Sequence, residues 1–238
     1  MYGKYRIGGV LLMGGEGRRF GSATPKQFHF LGGRRVYQYA LDTFLKMGVF
    51  DEILLVCHPS WKGEIEENSQ VRVIEGGNTR QESSHLGVKG FLDVPEIVVI
   101  HDAVRPFVTE EIIFENIRSA IAGGAVDTCV PCADTLVYAP GKKWLESIPR
   151  REDFLRGQTP QTFQRKLILE AHERALEKGI VNATDDCRLV LDAGGKVQVV
   201  LGDERNFKIT SEFDLEMAEK MLDIERVSGL FHNQKTSR

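Results

Sequence analysis

Short apolar runs recur along the chain, separated by stretches whose apolar residues fall at helical spacing. Ile7–Met13 (IGGVLLM), Glu52–Cys57 (EILLVC) and Val71–Glu75 (VRVIE) read as strands, as do residues 96–101 (EIVVIH) and 127–132. Between them, i, i+3, i+4 patterns predict helices at Val36–Met47, closed by Gly48, at residues 80–92 and at Glu110–Gly123. A helix at 164–178, a strand at 197–201 and a helix at 211–224 complete the pattern. Strands alternating with helices imply βαβ units. The expected fold is α/β, a Rossmann-like, mostly parallel sheet with helices on both faces.

The alternation breaks after residue 132. Residues 135–138 and 144–148 are strand-like and are joined by Ala139-Pro140-Gly141-Lys142-Lys143, a turn signal. A β-hairpin arm over about 133–155 is expected. A lone hairpin is marginal in water, so the arm should pack against something, plausibly a second copy of the chain. Residues from about 228 read as a disordered tail, and the 238 residues otherwise as one domain.

Composition narrows the class. Hydrophobic residues make up 42% and charged residues 27%, as in soluble globular proteins. A net charge of −3 gives no general pull toward nucleic acid or membrane. No apolar run is long enough to span a bilayer, and MYGKYRIGG has no signal-peptide core, so a cytoplasmic location is expected. Cys129-Val-Pro-Cys132 has C-x-x-C spacing, but Cys57 and Cys187 supply no second ligand pair nearby. Two small residues of a strand explain it better than zinc.

Candidate chemistry concentrates in GVLLMGGEGRRFGSATPKQ, residues 9–27. A strand leads into Gly14, Gly15 and Gly17, followed by Arg19 and Lys26. Glycines there let the backbone turn and offer N–H groups to phosphate oxygens, and the cations can neutralise a polyphosphate. An ordinary glycine turn before a solvated basic stretch is the plain alternative. The Walker pattern is absent, and the dinucleotide pattern fails because Phe20 stands where its third glycine should be. No acidic ribose ligand follows, so a nicotinamide dehydrogenase is disfavoured.

In open parallel sheets, ligands bind beyond the carboxyl ends of the strands. That rule brings the Gly14 loop, Gly76-Gly77 and His101-Asp102 to one rim. Asp102 would handle a metal or a ribose hydroxyl, or cap a turn, and Arg105 would pair with it or with a ligand. Gly76-Gly77-Asn78-Thr79-Arg80 with Ser83 would read a base edge, or simply start a helix. Thr184-Asp185-Asp186 is either a helix N-cap or a polar wall of the site.

In order along the chain stand the glycine loop with P-K-Q, GG-x-x-R-x-x-S, HDA-x-RPF, DT before the hairpin, TPQ-x-F, TDD and N-x-K-[IV]-T. Together they cover nearly the whole chain and resemble the cytidylyltransferases that make CDP-linked sugar alcohols. That family includes enzymes for 2-C-methyl-D-erythritol 4-phosphate and for ribitol 5-phosphate. The resemblance implies that positions matching Met13, Gly14, Gly15, Gly17, Gly76, Gly77, Ser83, Asp102 and Arg105 bind CTP. Arg19, Lys26 and Lys208 would stabilise charge during transfer. Thr135, Arg151, Thr159, Thr184 and Lys208 would hold the polyol phosphate.

The resemblance also implies Mg²⁺ carried with CTP, with Asp102 the possible side-chain ligand, and a homodimer whose arm brings Thr135 and Arg151 to the neighbouring site. The expected acceptor is 2-C-methyl-D-erythritol 4-phosphate. Met13-Gly14-Gly15, GAVDT and RGQTPQTF lean toward ribitol 5-phosphate as the alternative. A nucleotide-binding regulator without turnover is an alternative of a different class.

Overall fold

The computed structural model describes residues 2–14, 24–66 and 68–235, with side chains described to residue 224. Its elements run β1 (Ile7–Met13), β2 (Phe30–Leu31), β3 (Arg34–Arg35), α1 (Val36–Met47), β4 (Glu52–Cys57), β5 (Val71–Glu75) and α2 (Arg80–Lys89). The chain continues through β6 (Ile97–Asp102), α3 (Glu110–Gly123), β7 (Ala125–Pro131), β8 (Leu155–Gln164), α4 (Arg165–Glu177), α5 (Asp186–Asp192), β9 (Gln198–Leu201) and α6 (Glu212–Lys235).

Seven strands form one sheet in the order β5-β4-β1-β6-β8-β7-β9. β5, β4, β1 and β6 are mutually parallel, and β9 is parallel to β7. β8 runs antiparallel to both its neighbours, β6 and β7. The register aligns Met13 with Cys57, Cys57 with Glu75, and Leu12 with Asp102. The carboxyl ends of these strands therefore share one rim, as the parallel-sheet rule requires.

Alternation along β1 explains the two-sided core. Ile7, Leu11 and Met13 pack with Tyr37 and Phe44 of α1 and Ile113 and Ile117 of α3. Val10 and Leu12 face the other way, with Val88 of α2, Ile168 of α4 and Val190 of α5. Each such fully buried large side chain contributes about 1.5–3 kcal/mol. The α6 helix packs separately, with Ala218 and Leu222 against Leu31 and Val36. Local chemistry agrees with these boundaries. Gly48 ends α1 at φ 61°, and Thr79 and Thr109 accept from Glu82 N and Ile112 N at the starts of α2 and α3.

Several expectations are corrected. The 80–92 helix ends at Lys89, because Gly90 caps it with its N–H on the Gly87 carbonyl. The arm is not a two-stranded ladder: its only bridge among the described residues pairs Tyr138 with Ser147. With Val137, Trp144, Leu145 and Ile148 exposed, no second layer supports more pairing. The last helix, expected over 211–224, runs on as α6 to Lys235. β8, α5 and the β2–β3 hairpin are additions. That hairpin turns at Gly32-Gly33, both at positive φ, a conformation glycine adopts without strain.

Gly87 shows packing overruling helix propensity. Alanine would favour α2 by about 1 kcal/mol, but its Cβ would sit 2.6 Å from Val10 Cγ1 and 3.1 Å from Val56 Cγ2. Gly87→Ala is expected to lower stability by about 1–2 kcal/mol in urea unfolding, against the gain that propensity alone predicts.

Candidate active site

At the rim, β6 delivers Asp102 into a group of cations drawn from distant segments. Lys208 Nζ donates to Asp102 Oδ2 at 2.7 Å, Arg80 Nε lies 3.5 Å from Oδ1, and Arg105 Nε lies 4.0 Å from Oδ2. Burial alone would push the Asp102 carboxyl up. Lys208, Arg80 and Arg105 outweigh it and hold the group far below the usual carboxylate range, so it is ionised. Arg80 is shared with the buried Asp186, so three cations face two carboxylates and a positive surplus remains at the rim. An arrangement of this kind can receive a polyanion.

The cluster is fixed from behind. Thr159 Oγ1 accepts the Asp102 N–H at 3.0 Å and lies 2.9 Å from His101 Nδ1. His101 Nε2 lies 3.1 Å from the Arg105 carbonyl, an acceptor only. Nε2 therefore carries the proton, and Nδ1 accepts from the Thr159 hydroxyl. Burial pushes the His101 imidazole down to about 4, so it is neutral at physiological pH. Arg105 donates to the Asn206 carbonyl at 2.9 Å, and the Asn206 amide donates to the Thr159 carbonyl at 2.8 Å. The N-F-K motif thus sets Arg105 and Lys208 together.

A second group lies where β1 and β5 end. Ser83 Oγ accepts the Gly77 N–H at 3.2 Å. A Cβ added at Gly76 would meet that oxygen at 2.9 Å, and one at Gly14 at 3.6 Å. The predicted base-reading trio of Gly76, Gly77 and Ser83 is therefore assembled beside Gly14. Met13 is buried, and its carbonyl accepts from Gln27 Nε2 at 2.6 Å. That bond ties the P-K-Q segment, and Lys26 with it, to the end of β1. Gly15, Gly17 and Arg19 lie outside the described residues.

The predicted acceptor residues divide. Lys208 and Thr159 reach the Asp102 cluster, but Thr159 is buried with its hydroxyl engaged internally, which makes it a support of the site. Thr184 is exposed just before α5. Thr135 and Arg151 lie on the exposed arm, where Arg151 donates to the Ala133 carbonyl at 2.8 Å. In TDD the plain reading holds for one residue: Asp185 caps α5 by accepting from Arg188 N at 3.0 Å. Asp186 instead receives Arg80 Nη1 at 2.7 Å. The pairing of Arg80 with Asp186 was not read from the sequence, although both residues stood inside the quoted motifs.

A divalent cation has one fitting ligand here. Among the described residues the cation nearest Asp102 Oδ1 is Arg80, at 3.5 Å. Mg²⁺ takes one or two carboxylates and completes its octahedron with phosphate oxygens and water. Among the described residues no group of three or more His, Cys, Asp or Glu forms a metal cage. Among them, too, no helix is long and apolar enough to cross a membrane.

Glycine turns and a cationic cluster at the rim of a parallel sheet define a nucleotide-handling transferase. The sequence profile of IspD, 2-C-methyl-D-erythritol 4-phosphate cytidylyltransferase, matches residues 8–224, and the chain belongs to that family of nucleotidyltransferases. A ribitol-5-phosphate cytidylyltransferase of Lactiplantibacillus plantarum is 34% identical over 226 residues, covering 90% of this chain and 97% of that protein. The structure of 4-diphosphocytidyl-2C-methyl-D-erythritol synthase from Anaerococcus prevotii is similar with a TM-score of 0.81 and 30% identity, over 92% of this chain and 96% of that one. The 2-C-methyl-D-erythritol 4-phosphate cytidylyltransferase of Thermus thermophilus gives 0.75 and 31%, over 90% and 98%. The protein is a cytidylyltransferase.

Asp127, on β7, supplies a pH test of the region. Burial, with Asp185 nearby, pushes its carboxyl up to about 6, although Gln161 Nε2 donates to it at 2.9 Å. A raised carboxyl stabilises the fold most below its unfolded value, and that stability is lost as pH rises through about 6. Asp127→Asn should therefore be more stable than the parent at pH 8, by up to about 3 kcal/mol, and gain little at pH 4. Thermal melts at the two values check the sign.

Proposed function

We propose that the protein transfers CMP from CTP to 2-C-methyl-D-erythritol 4-phosphate, releasing pyrophosphate. The observation that carries this reading is the family match from residue 8 to residue 224. The acceptor's phosphate monoester is already anionic near neutral pH, so an oxygen of it can attack the α-phosphorus without a side-chain base. The task left to the protein is to bring two polyanions into line and balance their charge.

Gly14 and the Gly76–Ser83 segment hold the cytidine, with Gly15 and Gly17 following Gly14 in sequence. Arg19 and Lys26 neutralise the triphosphate, while Lys208 and Arg105 face the reacting phosphates from the Asp102 side. Asp102 would be the protein carboxylate available to a divalent cation brought in with the triphosphate, and such a cation would add charge balance at the phosphates. Thr184, exposed just before α5, takes part in holding the acceptor phosphate.

The arm supports a homodimer. Trp144 is 76% exposed and Ile148 63%, more apolar surface than a short segment keeps in water without a partner. Thr135 and Arg151 then serve the neighbouring subunit's acceptor site. A double substitution, Trp144→Asp with Ile148→Asp, should shift the protein to monomers in sedimentation and cut turnover with it. A dimer unchanged by both would remove the arm from the interface.

The relative from Lactiplantibacillus plantarum favours ribitol 5-phosphate as a second reading of the acceptor. Pyrophosphate release with CTP, Mg²⁺ and each polyol phosphate decides it: the methylerythritol compound should give the higher kcat/KM. A higher value for ribitol 5-phosphate reverses the assignment, and no release with either sinks both. Lys208→Ala should cost about 10²–10³ in kcat with the true acceptor, the loss expected of one electrostatic contact to the transition state.

A further inference from the structure

Asp186 is fully buried as the first residue of α5. Burial would push its carboxyl up, yet Arg80, together with His172 and Ser84, outweighs that and holds it at about 2. An ionised carboxylate is retained in such a place only when it is paired. Its partner is Arg80, whose Nη1 donates to Asp186 Oδ2 at 2.7 Å while its Nε faces Asp102 at 3.5 Å. The guanidinium is planar and rigid, so fixing one edge on Asp186 sets the direction of the other toward Asp102.

The backbone around the pair is tied in the same sense. Thr79 Oγ1 donates to the Val181 carbonyl at 3.0 Å and Gln81 Nε2 to the Ile180 carbonyl at 2.7 Å. The Ala183 N–H returns a bond to Gln81 Oε1 at 2.8 Å. Three hydrogen bonds therefore join the start of α2 to the segment that leads into Thr184. Behind them His172 of α4 approaches Asp186 Oδ1 at 3.5 Å and stacks on His85 of α2, with ring centroids 4.8 Å apart.

We propose that Asp186 is a positioning residue for cytidylyl transfer, acting through Arg80. The Asp186–Arg80 pair locks the turn that reads the nucleotide, residues 76–83, to the segment that bears Thr184, with Asp102 between them. This rests on the cytidylyltransferase reading of the rim. The pair's task is the relative placement of the two substrates, so its loss acts on the reacting geometry and not on the affinity for either one. Asp186→Asn keeps the shape and one acceptor oxygen but removes the charge. Arg80→Lys keeps a charge that cannot span two carboxylates.

In steady-state assays with CTP and the polyol phosphate that the wild type uses, each variant should lose about 10–100-fold in kcat while both KM values stay within about threefold. The double variant should lose no more than Arg80→Lys alone, because Asp186 works through that side chain. An unchanged kcat, losses that multiply in the double variant, or a rise in KM matching the fall in kcat would each overturn the proposal. A second readout needs no turnover. Amide hydrogen exchange in the resting protein should quicken together at residues 77–83 and 181–184 in either variant. Quickening confined to the substituted residue's own segment overturns it as well. A wild type inactive with both acceptors would refute the proposed activity, and the exchange measurement would still judge the lock.

Discussion

The site depends on one buried negative charge. Asp102 ends the central strand β6 on the rim where substrates would sit, and an ionised carboxylate there costs several kcal/mol unless it is compensated. Compensation comes from Arg80, Arg105 and Lys208, which lie in three separate sequence motifs. Each cation is drawn to the rim by the same carboxylate. With Arg80 also held by Asp186, three cations face two carboxylates, so the interaction that organises the site still leaves it with positive charge to offer. Placement and chemistry have a common cause here.

The strand β8 makes that arrangement rigid. It is the one antiparallel strand beside β6, and it buries polar side chains where a core strand usually buries apolar ones. Thr159 reaches back to Asp102 and His101, and Gln158 meets Asn206. Gln161 donates to both Asp127 and Asp185 and accepts the Asp186 N–H at 3.2 Å. Every one of these bonds crosses between elements. A polar strand so bonded to its neighbours fixes geometry that apolar packing would leave free to slide, because hydrogen bonds have direction and dispersion contacts do not.

The same strand explains what could be read from the sequence and what could not. Parallel strands and amphipathic helices announce themselves by period, and Val36–Met47 and Glu110–Gly123 fall on the boundaries the pattern predicts. LRGQTPQTFQ has no such period, since its buried residues are polar and it holds a glycine and a proline. Its partners lie 24 to 58 residues away, which local patterns do not report. Asp185 and Asp186 make the point most sharply. Two adjacent identical residues do different work, one capping a helix and one pairing with an arginine 106 residues distant. Only the fold separates them.

His101 beside Asp102 invites a reading in which the pair moves protons, and the geometry argues against it. Both ring nitrogens are occupied, one by the Thr159 hydroxyl and the other by the Arg105 carbonyl. The ring is wholly buried, and its pKa near 4 leaves it neutral with no open lone pair toward the rim. Asp102, for its part, is held ionised by its cations and would release them before it took a proton. An imidazole so enclosed orients a backbone turn, and the turn presents Arg105. The rim is therefore built from charges held still in advance. That suits a reaction whose nucleophile arrives already ionised and whose barrier lies in bringing like charges together.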